Sequence, residues 1–215
     1  MKVGLIADVH ADLLSLIAAL ELLNKKGVEQ ILCAGDLVDK GPDGDAVIEM
    51  IKNRAIPSVR GNHDAAISRS QEWIKRNLGF HPATKARLLK QESLEFIDAL
   101  PPYFSITLDE TSIVVAHGIP SDHEVYLYSK SPRAMFENAV YEAGTIDHDV
   151  KVLILGHTHA PMMACIDGVW ILNPGSVAGQ YTDGSNTCAV LTLPECKFEV
   201  FDLVTGMRIV PPFVQ

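Results

Sequence analysis

One unit recurs at the start of this chain: a short apolar run that stops at glycine or an acid, then a segment with helical spacing. Val3 to Ala7 is the first run. It is apolar on both faces, as a strand covered on two sides must be. In "HADLLSLIAALELLNKKG", Leu13, Leu16, Ile17, Leu20 and Leu23 recur three or four apart; Asp12 can cap the start and Gly27 can end it. "VEQILCAGD" predicts a second strand, "GDAVIEMIKNR" a second helix and "AIPSVRGNHD" a third strand. Strands joined through helices pair in parallel, so this half predicts an α/β layer.

The second half changes period. "SRSQEWIKRNL" and "QESLEFIDALPP" predict helices on an excursion from the sheet, about residues 65–100. "SITLDETSIVVAHG" predicts two strands around a tight Asp-Glu turn, and "KVLILGHTH" one more buried strand. "MMACIDGVWILNPGS" carries an Asp167-Gly168 hairpin signal, and "TCAVLTLPECKFEVFDL" predicts a further hairpin. Two packed sheets with helices outside satisfy both halves. With no linker, repeat or low-complexity stretch, residues 1–215 read as one domain.

The formal net charge of −9 disfavours a nucleic-acid binder, which needs a basic stripe. Cys33, Cys165, Cys188 and Cys196 have no CxxC spacing and read as reduced thiols. No run approaches the roughly 20 apolar residues of a membrane span, and "MKVGLIADVH" is too short for a signal peptide. The expectation is a cytoplasmic protein. A homo-oligomer is compatible with the sequence.

Five predicted strands end in metal-capable residues: Asp8-Val9-His10, Gly35-Asp36 running to Asp39-Lys40-Gly41, Gly61-Asn62-His63-Asp64, His117-Gly118, and Gly156-His157-Thr158-His159. Open α/β sheets place their sites at the carboxyl ends of strands. Asp8, Asp36, Asn62, His10, His117, His157 and His159 are too many donors for one ordinary ion and suit two ions sharing a carboxylate. Oxygen and imidazole donors without thiolate favour Mn, Fe, Zn, Ni or Co over Ca or Mg. Two such ions roughly 3.5–4 Å apart serve many phosphatases and nucleases. In an extended segment, residues i and i+2 point to one side, so Asp8 with His10, and His157 with His159, each predict a two-donor fork. Singly, each motif also reads as a turn, a loop or a core histidine; it is their joint occurrence, in this order, that points to a site.

In this order the motifs D-x-H, G-D-x-x-D-x-G, G-N-H-D, H-G and G-H-T-H, over residues 8–159, resemble a calcineurin-like metallophosphoesterase. "ESLEFIDALP" and "NPGSV" resemble its compact bacterial branch. The resemblance implies a four-layer α/β/β/α sandwich with two mixed β-sheets and a dinuclear metal site at strand C-terminal ends. It implies one ion on Asp8, His10, Asp36 and His159, and another on Asp36, Asn62, His117 and His157, with Asp36 and a water bridging. Mn²⁺ is the first expectation for the metal. The implied reaction is hydrolysis of phosphate mono- or diesters by hydroxide formed from that water, with His63 assisting the leaving group. Asp39 is the implied partner that orients His63. Asp64 rivals it, though it also reads as a helix cap. Lys40 and Arg60 flank the motifs and are candidates for binding phosphate, or simply structural charges. The related phosphoprotein phosphatases have arginine at the position of Lys40, which weakens any protein-phosphatase reading.

Outside the motifs, His81, His123 and His148 read as surface or loop residues. Tyr126, Tyr128 and Lys130 could set substrate selectivity or merely pack. Trp73 and Phe80 could shape a lid or pack in the core. The expected partner is a small phosphorylated substrate. The alternatives are a non-catalytic scaffold of the same fold, a nuclease, and specificity for phosphoproteins or diadenosine polyphosphates.

Overall fold

The computed structural model describes residues 1–77, 87–182 and 184–214. His81 and Phe80 lie outside the described residues. Two mixed sheets are present. One has the order β10-β9-β8-β1-β2, and the other β11-β6-β7-β5-β4-β3. In the first sheet, β1 (Lys2–Ile6) pairs in parallel with β2 (Gln30–Cys33) and antiparallel with β8 (Thr187–Thr192), which continues to β9 (Lys197–Asp202) and the two-residue β10 (Arg208–Ile209). In the second, β4 (Thr111–Ala116) and β5 (Val150–Ile154) run parallel, and β3 (Tyr103–Leu108) closes one edge. Beyond β5 lie β7 (Val169–Asn173), β6 (Met162–Ile166) and β11 (Phe213–Val214).

Strand alternation sorts the apolar side chains into three cores. Val3, Leu5, Leu32, Ala189 and Leu191 of one sheet meet Ile113, Val115, Val152, Ile154 and Leu172 of the other. The opposite face of the first sheet, with Ile6, Cys33, Cys188 and Val190, is covered by four helices: α1 (Leu13–Lys25), α2 (Gly44–Asn53), α3 (Asn62–Arg76) and α4 (Gln91–Ala99). The outer face of the second sheet, Val114, Leu153 and Ile171, is covered by α5 (Arg133–Ile146). The layer order is therefore α/β/β/α. It explains why β1, β4 and β5 read as continuous apolar runs, since both faces are buried.

Asp12 caps α1 by accepting from Ser15 N at 3.0 Å, and Gly27 follows its end at φ +75°. Asp109-Glu110 and Asp167-Gly168 take positive φ at both turn residues, the twist-matched geometry of two-residue hairpins.

Four expectations need correction. Ala55 to Arg60 is no full strand: it makes one parallel bridge, Cys33 with Ser58. Pro57 has no N–H to carry the ladder back, and Gly35 turns away at φ +90°. The helix expected from Ser68 begins at Asn62, so "GNHD" opens α3 instead of trailing a strand. The helices of the 65–100 segment are no excursion, because Ile67, Ile74 and Ile97 share the core of α1 and α2. Finally, α5 has no counterpart among the predicted elements. Its buried face is Phe136, Ala139 and Ala143, and small alanines make a faint periodic signal.

Candidate metal centre

Because β1 and β2 are parallel, as are β4 and β5, four strand ends deliver their following loops to one edge between the sheets. Asp8 and His10 follow β1, Asp36 follows β2, His117 follows β4, and His157 and His159 follow β5. Asn62 and His63 arrive on the first turn of α3.

The donors fall into two groups, Asp8–His10–His159 and Asp36–His117–His157. His10 Nε2 and His159 Nε2 are 3.1 Å apart, and His159 Nε2 lies 3.5 Å from Asp8 Oδ1. His117 Nε2 lies 3.3 Å from Asp36 Oδ2 and 3.1 Å from Asn62 Oδ1. Ligands about 2.1 Å from one ion sit roughly 3.0–3.4 Å from each other, so these are the separations a shared cation requires. Asp36 Oδ2 is also 3.8 Å from His10 Nε2, which puts it within reach of both groups.

The forks are not extended. Asp8, His10, Asp36, His157 and His159 all have φ between +47° and +68°. Non-glycine residues rarely hold this left-handed conformation, and such strain collects at functional sites. The pairs converge because each loop is tightly wound, which corrects the i, i+2 argument.

Surrounding atoms fix each donor. Asp36 Oδ1 accepts from His63 N at 2.9 Å, at the positive end of α3, and Oδ2 is left buried without a hydrogen bond. The His117 ring bonds the Ala34 carbonyl through Nδ1 at 2.7 Å. The His157 ring bonds the Glu124 carbonyl, and its Nε2 is likewise buried without a partner. Ring nitrogens anchored this way present the opposite nitrogen as a ligand. Gly61 must be glycine, because a Cβ there would stand 2.1 Å from Asp36 Oδ1. Three residues unread in the sequence, or read only as resemblance, brace the loops. Asn173 Nδ2 donates to the Gly156 carbonyl at 2.7 Å, Ser176 Oγ donates to the Asp8 carbonyl at 2.9 Å, and Asp64 accepts from Leu37 N, Val38 N and Gly61 N. Asp64 therefore braces backbone and does not orient His63.

Buried carboxylates and imidazoles set one another's charge here. Asp8 and Asp36 are fully buried, with histidines as their close partners. Burial raises Asp8. Burial also opposes ionisation of Asp36, but His117 outweighs it and holds that carboxyl well below the usual range. Burial likewise opposes charge on His117, yet Asp36 and Asp8 draw it up to about 10. Burial pushes His10 down to about 3 and His157 to about 4, which keeps those rings neutral, as cation ligands must be. A divalent cation beside Asp36 would take the place of the His117 proton and leave that ring free to ligate.

The profile of the calcineurin-like phosphoesterase superfamily domain matches residues 1–195. The chain belongs to this superfamily. A phosphodiesterase of Methanocaldococcus jannaschii is 26% identical over 193 residues, 89% of this chain and 92% of the relative. A metallophosphoesterase of Sphaerobacter thermophilus superposes with a TM-score of 0.71 at 26% identity, covering 98% of this chain and 89% of its own. A hypothetical protein of Pyrococcus horikoshii shares the fold, with a TM-score of 0.77 at 21% identity, covering 94% of this chain and 87% of its own. The chain is thus a metallophosphoesterase, of a divalent-metal-dependent family.

In this phosphoesterase a cavity of about 590 Å³ opens over the donors, bordered by Asp36, His63, His157 and His159. His63 Nδ1 lies 2.9 Å from Asp39 Oδ2, and Arg87 Nε makes an ion pair with Asp39 Oδ1 at 2.5 Å without good hydrogen-bond direction. Burial opposes charge on Asp39, but the His63 bond, the Lys40 N–H and Arg87 bring it down to about 2. The Asp39 bond raises His63. Arg87 drew no notice in the sequence because no motif surrounds it. Lys40 lines the cavity. Arg60 does not: its guanidinium faces Asp98 of α4 at 3.8 Å, and its N–H donates to the Pro101 carbonyl, so it is removed from the substrate contacts. Tyr126 and Tyr128 border the cavity, while Trp73 is 60% exposed. His148 is exposed and His123 half-buried. Among the described residues no helix is long and apolar enough to cross a membrane.

Proposed function

We propose that this phosphoesterase hydrolyses phosphate mono- or diesters of small substrates with two divalent cations, Mn²⁺ foremost. Asp8, His10, Asp36 and His159 would hold one cation, and Asp36, Asn62, His117 and His157 the other. The observation that carries this reading is Asp36 Oδ2, buried, lacking a hydrogen bond, and within 3.8 Å of a histidine from each donor group. The bound cations supply an activated water and offset charge growing on the phosphoryl oxygens. The chain does the rest. Asp36 joins the two groups, and the anchored imidazoles keep the donors convergent. Asp39 holds His63 Nδ1, leaving Nε2 to carry a proton to the departing oxygen, and the bond to Asp39 favours the protonated ring. Lys40 brings positive charge to the cavity wall for the phosphate. The cysteine pattern supports a reducing, cytoplasmic setting as part of this reading, and all residues 1–215 acting as one domain is another part of it.

The test is to strip the protein with chelator, restore Mn²⁺, Ni²⁺ or Co²⁺, and assay p-nitrophenyl phosphate and bis-p-nitrophenyl phosphate. Metal-dependent release from either ester is expected. No activity on either with any of the three metals bound overturns the reading. A pure scaffold has no observation in its favour here, since both donor groups are intact.

A further inference from the structure

The loop after His117 carries two tyrosines that the hydrolytic chemistry leaves unused. Within Val125–Tyr128, Val125 and Leu127 turn into the core beneath the second sheet, and Leu127 is only 2% exposed. Tyr126 and Tyr128 turn the other way and border the cavity over the donors, yet remain 48% and 45% exposed. Core packing thus accounts for Leu127 and not for the tyrosines.

Their arrangement is ordered. The Tyr126 ring stacks on His157 with centroids 3.8 Å apart. Tyr128 stacks on Tyr126, with the ring planes 2° from parallel and the centroids 5.7 Å apart. That is the offset geometry aromatic pairs prefer. The turn is held by Tyr128 N donating to Ser131 Oγ at 3.0 Å and Ser131 N donating to the Tyr128 carbonyl at 2.9 Å. The stack therefore runs from a candidate ligand out to the rim. Elsewhere the cavity wall is low: Ala160, Pro161, Gly184 and Ser185. Gly184 cannot grow, because a Cβ would meet the His159 Cβ at 2.2 Å. A flat group has room there.

We infer that Tyr126 and Tyr128 form an aromatic subsite beside the metal centre, selecting phosphate esters that carry a planar aromatic ring, either a nucleobase or an aryl group. The inference rests on the proposed phosphoesterase reading and deepens it. Each π-face offered to solvent at the rim is a platform for stacking, which is tolerant of the ring's identity.

Binding to the Mn²⁺-loaded protein is measured by calorimetry with phosphonates, whose P–C bond is not hydrolysed. Phenylphosphonate is compared with cyclohexylphosphonate, and the carbon isostere of adenosine 5′-monophosphate with that of ribose 5-phosphate. Expected is an aromatic preference of about fivefold or more in at least one pair. It falls towards one in Tyr126→Leu and Tyr128→Leu and survives in Tyr126→Phe and Tyr128→Phe. A preference in the nucleoside pair alone identifies the base as the occupant, and one in the phenyl pair identifies a simple aryl ring. Equal affinity within both pairs, no phosphonate binding, or a preference untouched by both leucine variants overturns the subsite. Because the readout needs no turnover, a protein that shows the preference but hydrolyses nothing retains the subsite and loses the enzymatic reading.

Discussion

Removing the Asp64 carboxylate should unlatch the loop that carries Asp36. Asp64 is fully buried and accepts three backbone hydrogen bonds: Oδ1 from Leu37 N at 2.9 Å and Val38 N at 3.1 Å, Oδ2 from Gly61 N at 3.0 Å. Asp64→Ala leaves three buried donors unsatisfied, at about 1–3 kcal/mol each. The sum is about 3–9 kcal/mol, and relaxation with water entry places the expected loss near the lower end, about 3–5 kcal/mol. Asp64→Asn keeps one oxygen for Leu37 and Val38 but sets an amide N–H against Gly61 N, so about 1–3 kcal/mol is expected. Against a usual domain stability of about 5–15 kcal/mol, the alanine variant should stand close to unfolding. Urea denaturation of the chelator-treated protein, followed by circular dichroism, measures both variants at comparable m. An alanine variant losing less than about 1 kcal/mol refutes the bracing role.

His63→Ala should lower turnover about 10²- to 10⁴-fold while both cations stay bound, because the contact to Asp36 is through the His63 backbone N–H; metal analysis alongside kinetics checks it. Glu110→Gly should raise stability by about 0.5–1 kcal/mol in thermal melts, since Glu110 sits at φ +60° in the β3–β4 turn where glycine is unstrained. Burial pushes the Cys33 and Cys188 thiols up to about 12. A folded pKa above the unfolded value means stability is present below about pH 8.5 and declines as pH rises towards 12. The thermal midpoint should fall across that window, with a shallower fall in Cys188→Ala.

Much of the candidate metal centre was legible because each candidate donor sits just past an apolar strand or opens a helix, and such edges bring distant residues together by topology alone. The rest was hidden for physical reasons. The left-handed backbone at Asp8, His10, His157 and His159 is imposed by packed loops, and nothing in an Asp-x-His string announces it. Arg87 meets Asp39 from 48 positions along the chain, with no local signal. Arg60, beside a motif, faces away to Asp98, since sequence adjacency does not set side-chain direction. Helix α5 escaped because alanines on its buried face carry little hydrophobic contrast. Tyr126 and Tyr128 were open between packing and selectivity, and only their stacking and exposure separate the two.

Metal stoichiometry decides whether Asp36 joins two cation sites. Equilibrium dialysis against Mn²⁺ with elemental analysis should find two ions per chain in the native protein and weakened binding of both in Asp36→Asn. A native protein that binds one ion or none, or an Asp36→Asn variant that loses only one of the two, rules out a shared Asp36.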